Sequence, residues 1–218
     1  MAGGGQTSRI AGAAGAIEVA SQPRADARGI AVIAHPHPLF GGTMDNKVVT
    51  TLAKAFFDAG IAAYRFNFRG VGGTEGVHDE GRGEADDLLR VVQHARSEAA
   101  ELPLYLAGFS FGGAVAVRAS ERADFKQLIL VAPGFRRISA HGMGTAPDPA
   151  DPDLGSPGRH TTANTLVLHG DLDETVPLSD SLAWATPREV PVVVVPGGEH
   201  FFHRKLHVLR EAVARWVR

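Results

Sequence analysis

Leu-Tyr-Leu-Ala-Gly-Phe-Ser-Phe-Gly-Gly, residues 104–113, is the stretch on which the reading of the chain turns. Inside it, Gly108-Phe109-Ser110-Phe111-Gly112 has the form G-x-S-x-G. The apolar run 104–107 suits a buried strand, and Gly-Ala-Val-Ala-Val-Arg-Ala at 113–119 suits a helix lying on a sheet. A serine on a tight strand-to-helix turn needs small neighbours, because a Cβ on either side would crowd the turn. Gly108 and Gly112 meet that need. Such a turn lifts the Ser110 hydroxyl clear of the sheet and aims it at a helix N-terminus. The unpaired N–H groups and partial positive charge there favour a developing oxyanion.

Strand and helix patterns alternate on both sides of this turn. Upstream, residues 7–10 and 16–20 read as two short strands paired around the glycines at 12–15, and residues 1–6 read as frayed. Residues 29–34 form a near-continuous apolar run, the kind buried on both faces of a sheet. Val48, Val49, Leu52, Ala53, Phe56 and Phe57 recur at helical spacing, and Gly60 ends that helix. A strand at 61–66, a Gly-rich turn at 67–76 and an amphipathic helix at 84–100 follow. Downstream come strands at 127–132, 165–169 and 191–195, a helix at 177–185 begun by proline, and a helix at 204–217. Alternation of this kind predicts one α/β domain spanning 1–218, with a mostly parallel sheet covered on both faces. Residues 134–164 break the pattern. Pro147, Pro149, Pro152 and Pro157 lie there among glycines with no periodicity, which reads as a long loop or flap.

Composition removes several function classes. At 218 residues and 44% apolar content there is ample core for one domain. A net charge of -2 gives no electrostatic case for nucleic acid or an anionic membrane. The absence of cysteine excludes disulfides, thiolate catalysis and Cys-ligated metals. Neither a secretory leader nor a membrane-length apolar run is evident, so a cytoplasmic protein is expected.

A serine hydroxyl needs a base within hydrogen-bond reach and a group that orients the base. In an open parallel sheet such groups gather at the carboxyl ends of strands. Just past the strand at 165–169 lies Gly170-Asp171-Leu172-Asp173-Glu174-Thr175-Val176-Pro177, and just past 191–195 lies Pro196-Gly197-Gly198-Glu199-His200-Phe201-Phe202-His203. An acid and a histidine therefore share the sheet edge of Ser110. Asp171 competes with Asp173, as a turn-former bonding its own backbone. His203 competes with His200 but opens the last helix beside Arg204 and Lys205. His35-x-His37 and His169-x-Asp171-x-Asp173 contain metal-ligand types, yet the elbow, acid and base already account for these loops, and no catalytic metal is expected. Asn67 and Arg69 read as loop-fixing residues.

Gly-Phe-Ser-Phe-Gly at 108–112, His-Gly-Asp-Leu-Asp-Glu-Thr-Val-Pro at 169–177 and Gly-Glu-His-Phe-Phe at 198–202 occur in one order along the chain. On these motifs the chain resembles the α/β-hydrolase fold superfamily, and within it the small lidless serine esterases of the dienelactone hydrolase branch. The resemblance runs from Ala16 to the last helix. It implies a sheet of about seven to eight strands with helices on both faces and no helical cap domain, since caps in relatives enter after the strand that here ends at Ala132. It implies Ser110 as nucleophile, the spaced aspartate of H-G-x-x-D-x-x-V-P, Asp173, as triad acid, and the histidine before two aromatics, His200, as base. It makes the Phe111 N–H one oxyanion donor. The second comes from the loop at 35–42, where Pro36 and Pro38 have no N–H, leaving His37, Leu39 or Phe40. Aligning Leu39-Phe40-Gly41 with the family's loop favours Leu39. Phe40 and Phe201 are expected to border the substrate.

The expected activity is hydrolysis of small or short-acyl carboxylic esters through an acyl-enzyme. It needs no cofactor and takes a small-molecule ester as partner, with no nucleic acid or membrane involved. A thioesterase, peptidase or C–C bond hydrolase would use the same triad, and a binding protein with an idle triad is the rival from outside enzymes.

Overall fold

The computed structural model describes residues 5–137, 155–156 and 158–217. Eight strands form one sheet: β1 (Gln6–Gly12), β2 (Gly15–Gln22), β3 (Ile30–Ala34), β4 (Ala62–Phe66), β5 (Leu104–Phe109), β6 (Gln127–Val131), β7 (Thr165–Gly170) and β8 (Val192–Val195). Their order across the sheet is β1-β2-β4-β3-β5-β6-β7-β8. β1 and β2 form an antiparallel hairpin and β2 joins β4 antiparallel, while every pairing from β4 through β8 is parallel. The helices are α1 (Lys47–Asp58), α2 (Arg82–Glu98), α3 (Phe111–Ser120), α4 (Leu178–Ala185) and α5 (Leu206–Trp216).

The two-residue period of a strand sends alternate side chains into two separate cores. From β5, Leu104 and Leu106 enter the core shared with α2, α3 and α4. Tyr105, Ala107 and Phe109 enter the core shared with α1 and α5. The central strands are thus apolar at every position, as the continuous runs at 30–34 and 104–109 require. Each fully buried Leu, Ile, Val or Phe contributes about 1.5–3 kcal/mol from removal of apolar surface from water.

Two expected boundaries move. Gln6, expected to fray, pairs with Ser21 and begins β1; residues 1–4 lie outside the described set. The last helix starts at Leu206 rather than 204, because Phe202 and Arg204 adopt positive φ (53° and 61°) and turn the chain first. Of the stretch 134–164, residues 138–154 and 157 lie outside the described residues. Arg159 is anchored by donating to the carbonyls of Ser120, the last residue of α3, and of Ala123 just after it.

Candidate active site

Ser110 sits between β5 and α3 with φ 56° and ψ −123°, a backbone region that L-residues enter only under constraint. Strain of that kind costs about 1–3 kcal/mol and persists only where the surroundings hold it. Here Ser110 N–H donates to Val131 O (2.9 Å), and Ser110 O accepts from Gly113 N–H (2.9 Å) and Gly134 N–H (2.8 Å). The flanking glycines are obligatory: a Cβ on Gly108 would lie 2.1 Å from Gly112 O, and one on Gly112 2.4 Å from His35 O. Phe111 is the first residue of α3, so its N–H belongs to the first turn, which has no acceptor within the helix.

The loops after β7 and β8 are packed backbone to backbone. A Cβ on Gly170 would meet Gly198 O at 2.1 Å. Leu172 N–H donates to Gly198 O (2.9 Å), and Gly197 N–H donates to Asp171 Oδ1 (2.6 Å). This brings the loops that carry Asp173 and His200 together. His200 Nδ1–H donates to Asp173 Oδ2 (2.7 Å), which leaves Nε2 to accept from the Ser110 hydroxyl (3.1 Å). Asp173 Oδ1 accepts from Thr175 N–H (2.9 Å) and Val176 N–H (2.8 Å). Burial alone would raise the Asp173 pKa, but donors on His169, His200 and Val176 outweigh it and hold the carboxyl well below its ordinary range. Asp173 is therefore a carboxylate at neutral pH.

The loop after β3 closes the site from the other side. His35 Nδ1–H donates to Pro36 O (2.6 Å) and Nε2 accepts from Phe68 N–H (2.9 Å), tying this loop to the one after β4. Burial pushes the His35 pKa down to about 4, so the ring is neutral. With both nitrogens in use it has no lone pair for the metal that H-x-H spacing suggests. The His37 ring packs on Phe111 (4.7 Å between centroids) and Phe40 (4.8 Å). A cavity of about 170 Å³ opens above the serine, its wall including His37, Phe40, Asn46, Ser110, His200 and Phe201.

Ser110, Asp173, His200, Phe111, Phe40 and Phe201 thus converge. Leu39, expected as the second oxyanion donor, has its N–H directed at His37 Nδ1 (3.3 Å) and its side chain exposed, while His37 and Phe40 line the cavity. The reason is the short turn at Pro38–Phe40, which folds the Leu39 N–H back on His37. Asp171 braces Gly197, and His203 pairs with Glu199 (2.7 Å) at the surface. Arg69 forms a two-point ion pair with Asp87 (2.8 and 2.9 Å), and Asn67 bridges Glu18 and Met44 N–H, so both fix loops. Sequence reading weighed His169 only as a metal ligand. It lies buried against Asp173, with Nε2 3.4 Å from Oδ2.

A family model described as serine aminopeptidase, S33, matches residues 25–147, more than half of the chain. An uncharacterized protein of Rickettsia prowazekii is 30% identical over 195 residues, covering 84% of this chain and 76% of its own. Among solved structures, an α/β serine hydrolase without lid from Xanthomonas campestris is 35% identical with a TM-score of 0.82, over 98% of this chain and 94% of that one. An α/β serine hydrolase homologue from Coxiella burnetii is 36% identical with a TM-score of 0.81, over 96% of each chain. A dienelactone hydrolase from Anabaena variabilis, 15% identical with a TM-score of 0.74 over 97% and 96% of the two chains, shares the fold. The chain belongs to the serine aminopeptidase S33 family of hydrolases, on the α/β-hydrolase fold.

Proposed function

We propose that the protein hydrolyses small or short-acyl carboxylic esters by acyl transfer to Ser110. The observation that carries this reading is the continuous chain Ser110 Oγ, His200 Nε2, His200 Nδ1, Asp173 Oδ2, at 3.1 and 2.7 Å, on the wall of an open cavity. His200 takes the hydroxyl proton as Ser110 attacks the carbonyl carbon, then gives it to the leaving alcohol. Asp173 holds the Nδ1–H tautomer and stabilises the imidazolium. Water, deprotonated by His200, attacks the acyl-enzyme and releases the acid. The Phe111 N–H holds the oxyanion together with a second donor, which we assign to His37 because its residue lines the cavity and packs on Phe111.

Two features support an ester over the peptide that the family description suggests. An aminopeptidase needs an anion for the substrate's terminal ammonium, and the described residues lining the cavity include no carboxylate. Alcohol is also a better leaving group than amine. A volume of about 170 Å³ suits a short acyl group. Among the described residues no helix is long and apolar enough to cross a membrane. We propose a cytoplasmic enzyme with a small-molecule ester as its partner.

Fluorophosphonate labelling with peptide mapping tests the mechanism. The adduct is expected on Ser110 and should be lost in His200→Ala; an adduct elsewhere, or undiminished labelling in that variant, overturns it. A matched panel of esters, thioesters and aminoacyl anilides of rising acyl length tests the substrate class. An optimum on anilides or long acyl chains would reject the ester reading.

A further inference from the structure

His169 lies at the end of β7, has no exposed surface, and is not among the residues that line the cavity described above. Both of its ring nitrogens are engaged. A carbonyl can only accept, so Nε2 carries the proton that it donates to Val176 O (2.9 Å). Nδ1 is then the acceptor, and it takes the hydroxyl proton of buried Ser181 (2.8 Å) on α4. The same Nε2–H faces Asp173 Oδ2 at 3.4 Å. Val176, whose carbonyl His169 holds, gives its own N–H to Asp173 Oδ1 (2.8 Å). One imidazole therefore grips the peptide that wraps the carboxylate and presents an N–H to the oxygen that His200 uses.

We infer that His169, with its Nε2–H tautomer set by the Val176 carbonyl and its ring held by Ser181, is a positioning residue that aims the Asp173 carboxylate at His200. The inference rests on reading Ser110, His200 and Asp173 as the triad. The titratable groups facing Asp173 are His200 and His169, and donation from His169 contributes to the low pKa of the carboxyl. Removing that N–H concentrates charge on Oδ2. The imidazolium of His200 is then bound more tightly, and the acid limb of kcat/KM moves to higher pH. The carboxylate also loses its fixed aim, and a displacement of about 1 Å in such a group lowers kcat by about 10²-fold.

The test uses the full-length enzyme and its best ester. His169→Leu should lower kcat by about 10²-fold, leave KM nearly unchanged and raise the acid limb. His169→Gln, whose amide N–H can reach Val176 O, should restore most of kcat and the limb. Ser181→Ala should lower kcat several-fold in the same direction, because Nδ1 loses its hydroxyl donor and the ring is no longer held in place. An acid limb unmoved in His169→Leu, or no rescue by glutamine, reduces His169 to a structural residue and overturns the inference. Should the leucine variant fail to fold, Ser181→Ala decides: wild-type kcat and limb there also overturn it. Absence of a fluorophosphonate adduct on wild-type Ser110 would instead sink the triad reading beneath it.

Discussion

Four histidines are buried among the described residues, and they divide into two regions. His35, His169 and His200 stand at the carboxyl edge of the sheet, and all six of their ring nitrogens have hydrogen-bond partners. His160 lies in the short strap between residue 158 and β7, wedged between Phe125 (6.0 Å) and Trp184 (5.4 Å). Among the described residues neither of its nitrogens has a hydrogen-bond partner, and Glu121 Oε1 lies 3.5 Å from Nε2. All four residues are buried, so burial does not distinguish them. What differs is directional bonding: at the edge it fixes tautomers and ring planes, whereas in the strap the imidazole serves as little more than a flat apolar filler.

Breaking the edge network should be felt in rate before stability. Asp173→Asn keeps the shape of the loop but offers His200 Nδ1 an amide N–H, which favours the wrong tautomer. A kcat loss on the order of 10⁴-fold is expected, with the thermal midpoint little changed. A loss below tenfold would show that the partner of Nδ1 does not set the tautomer. Next in size is the second oxyanion donor. His37 has φ −53°, within the range of proline, so His37→Pro removes the N–H without forcing the backbone. It should lower kcat by about 10²–10³-fold, whereas His37→Ala, which keeps the N–H, should remain within tenfold of wild type. Equal losses in the two variants would move the donor elsewhere in the loop.

The strands, the elbow and the meeting of Ser110, His200 and Asp173 were legible because each rests on local chemistry. Continuous apolar runs mark central parallel strands, the Gly108 and Gly112 pattern marks a turn with no room for Cβ, and both loops follow strands that end on one edge. The placements of Leu39 and His169 were not legible for the opposite reason. Which N–H of residues 37–40 faces the serine depends on a short turn whose φ and ψ no periodicity reports. The partner of His169 comes from α4, twelve residues on, through a serine hydroxyl with no sequence mark of its own. His160 was equally silent, because an imidazole used as filler looks like any polar residue in a loop.

The smallest expected effect is on stability, and it separates the two regions by pH. Burial pushes the pKa of His160 down to about 4, against the pull of Glu121 and with Arg188 and Arg159 lowering it further, and His35 is also pushed to about 4. The folded state then binds fewer protons than the unfolded state between pH 4 and 6.5. Stability conferred by each neutral ring is therefore full above pH 6.5 and is lost as pH falls toward 4, by about 3 kcal/mol per ring. Asp173 does not blur this window: its pKa is lowered, so its contribution is retained until pH falls below the ordinary aspartate range. His160→Leu replaces a ring whose nitrogens make no hydrogen bond by an apolar group of similar bulk, at little cost at pH 7. Urea titrations at pH 7 and 4.5 should show wild type losing roughly twice as much stability as His160→Leu over that interval. Equal losses would mean that His160 gains a proton partner on acidification, with Glu121 the nearest candidate, and would erase the distinction between the bonded edge and the filled strap.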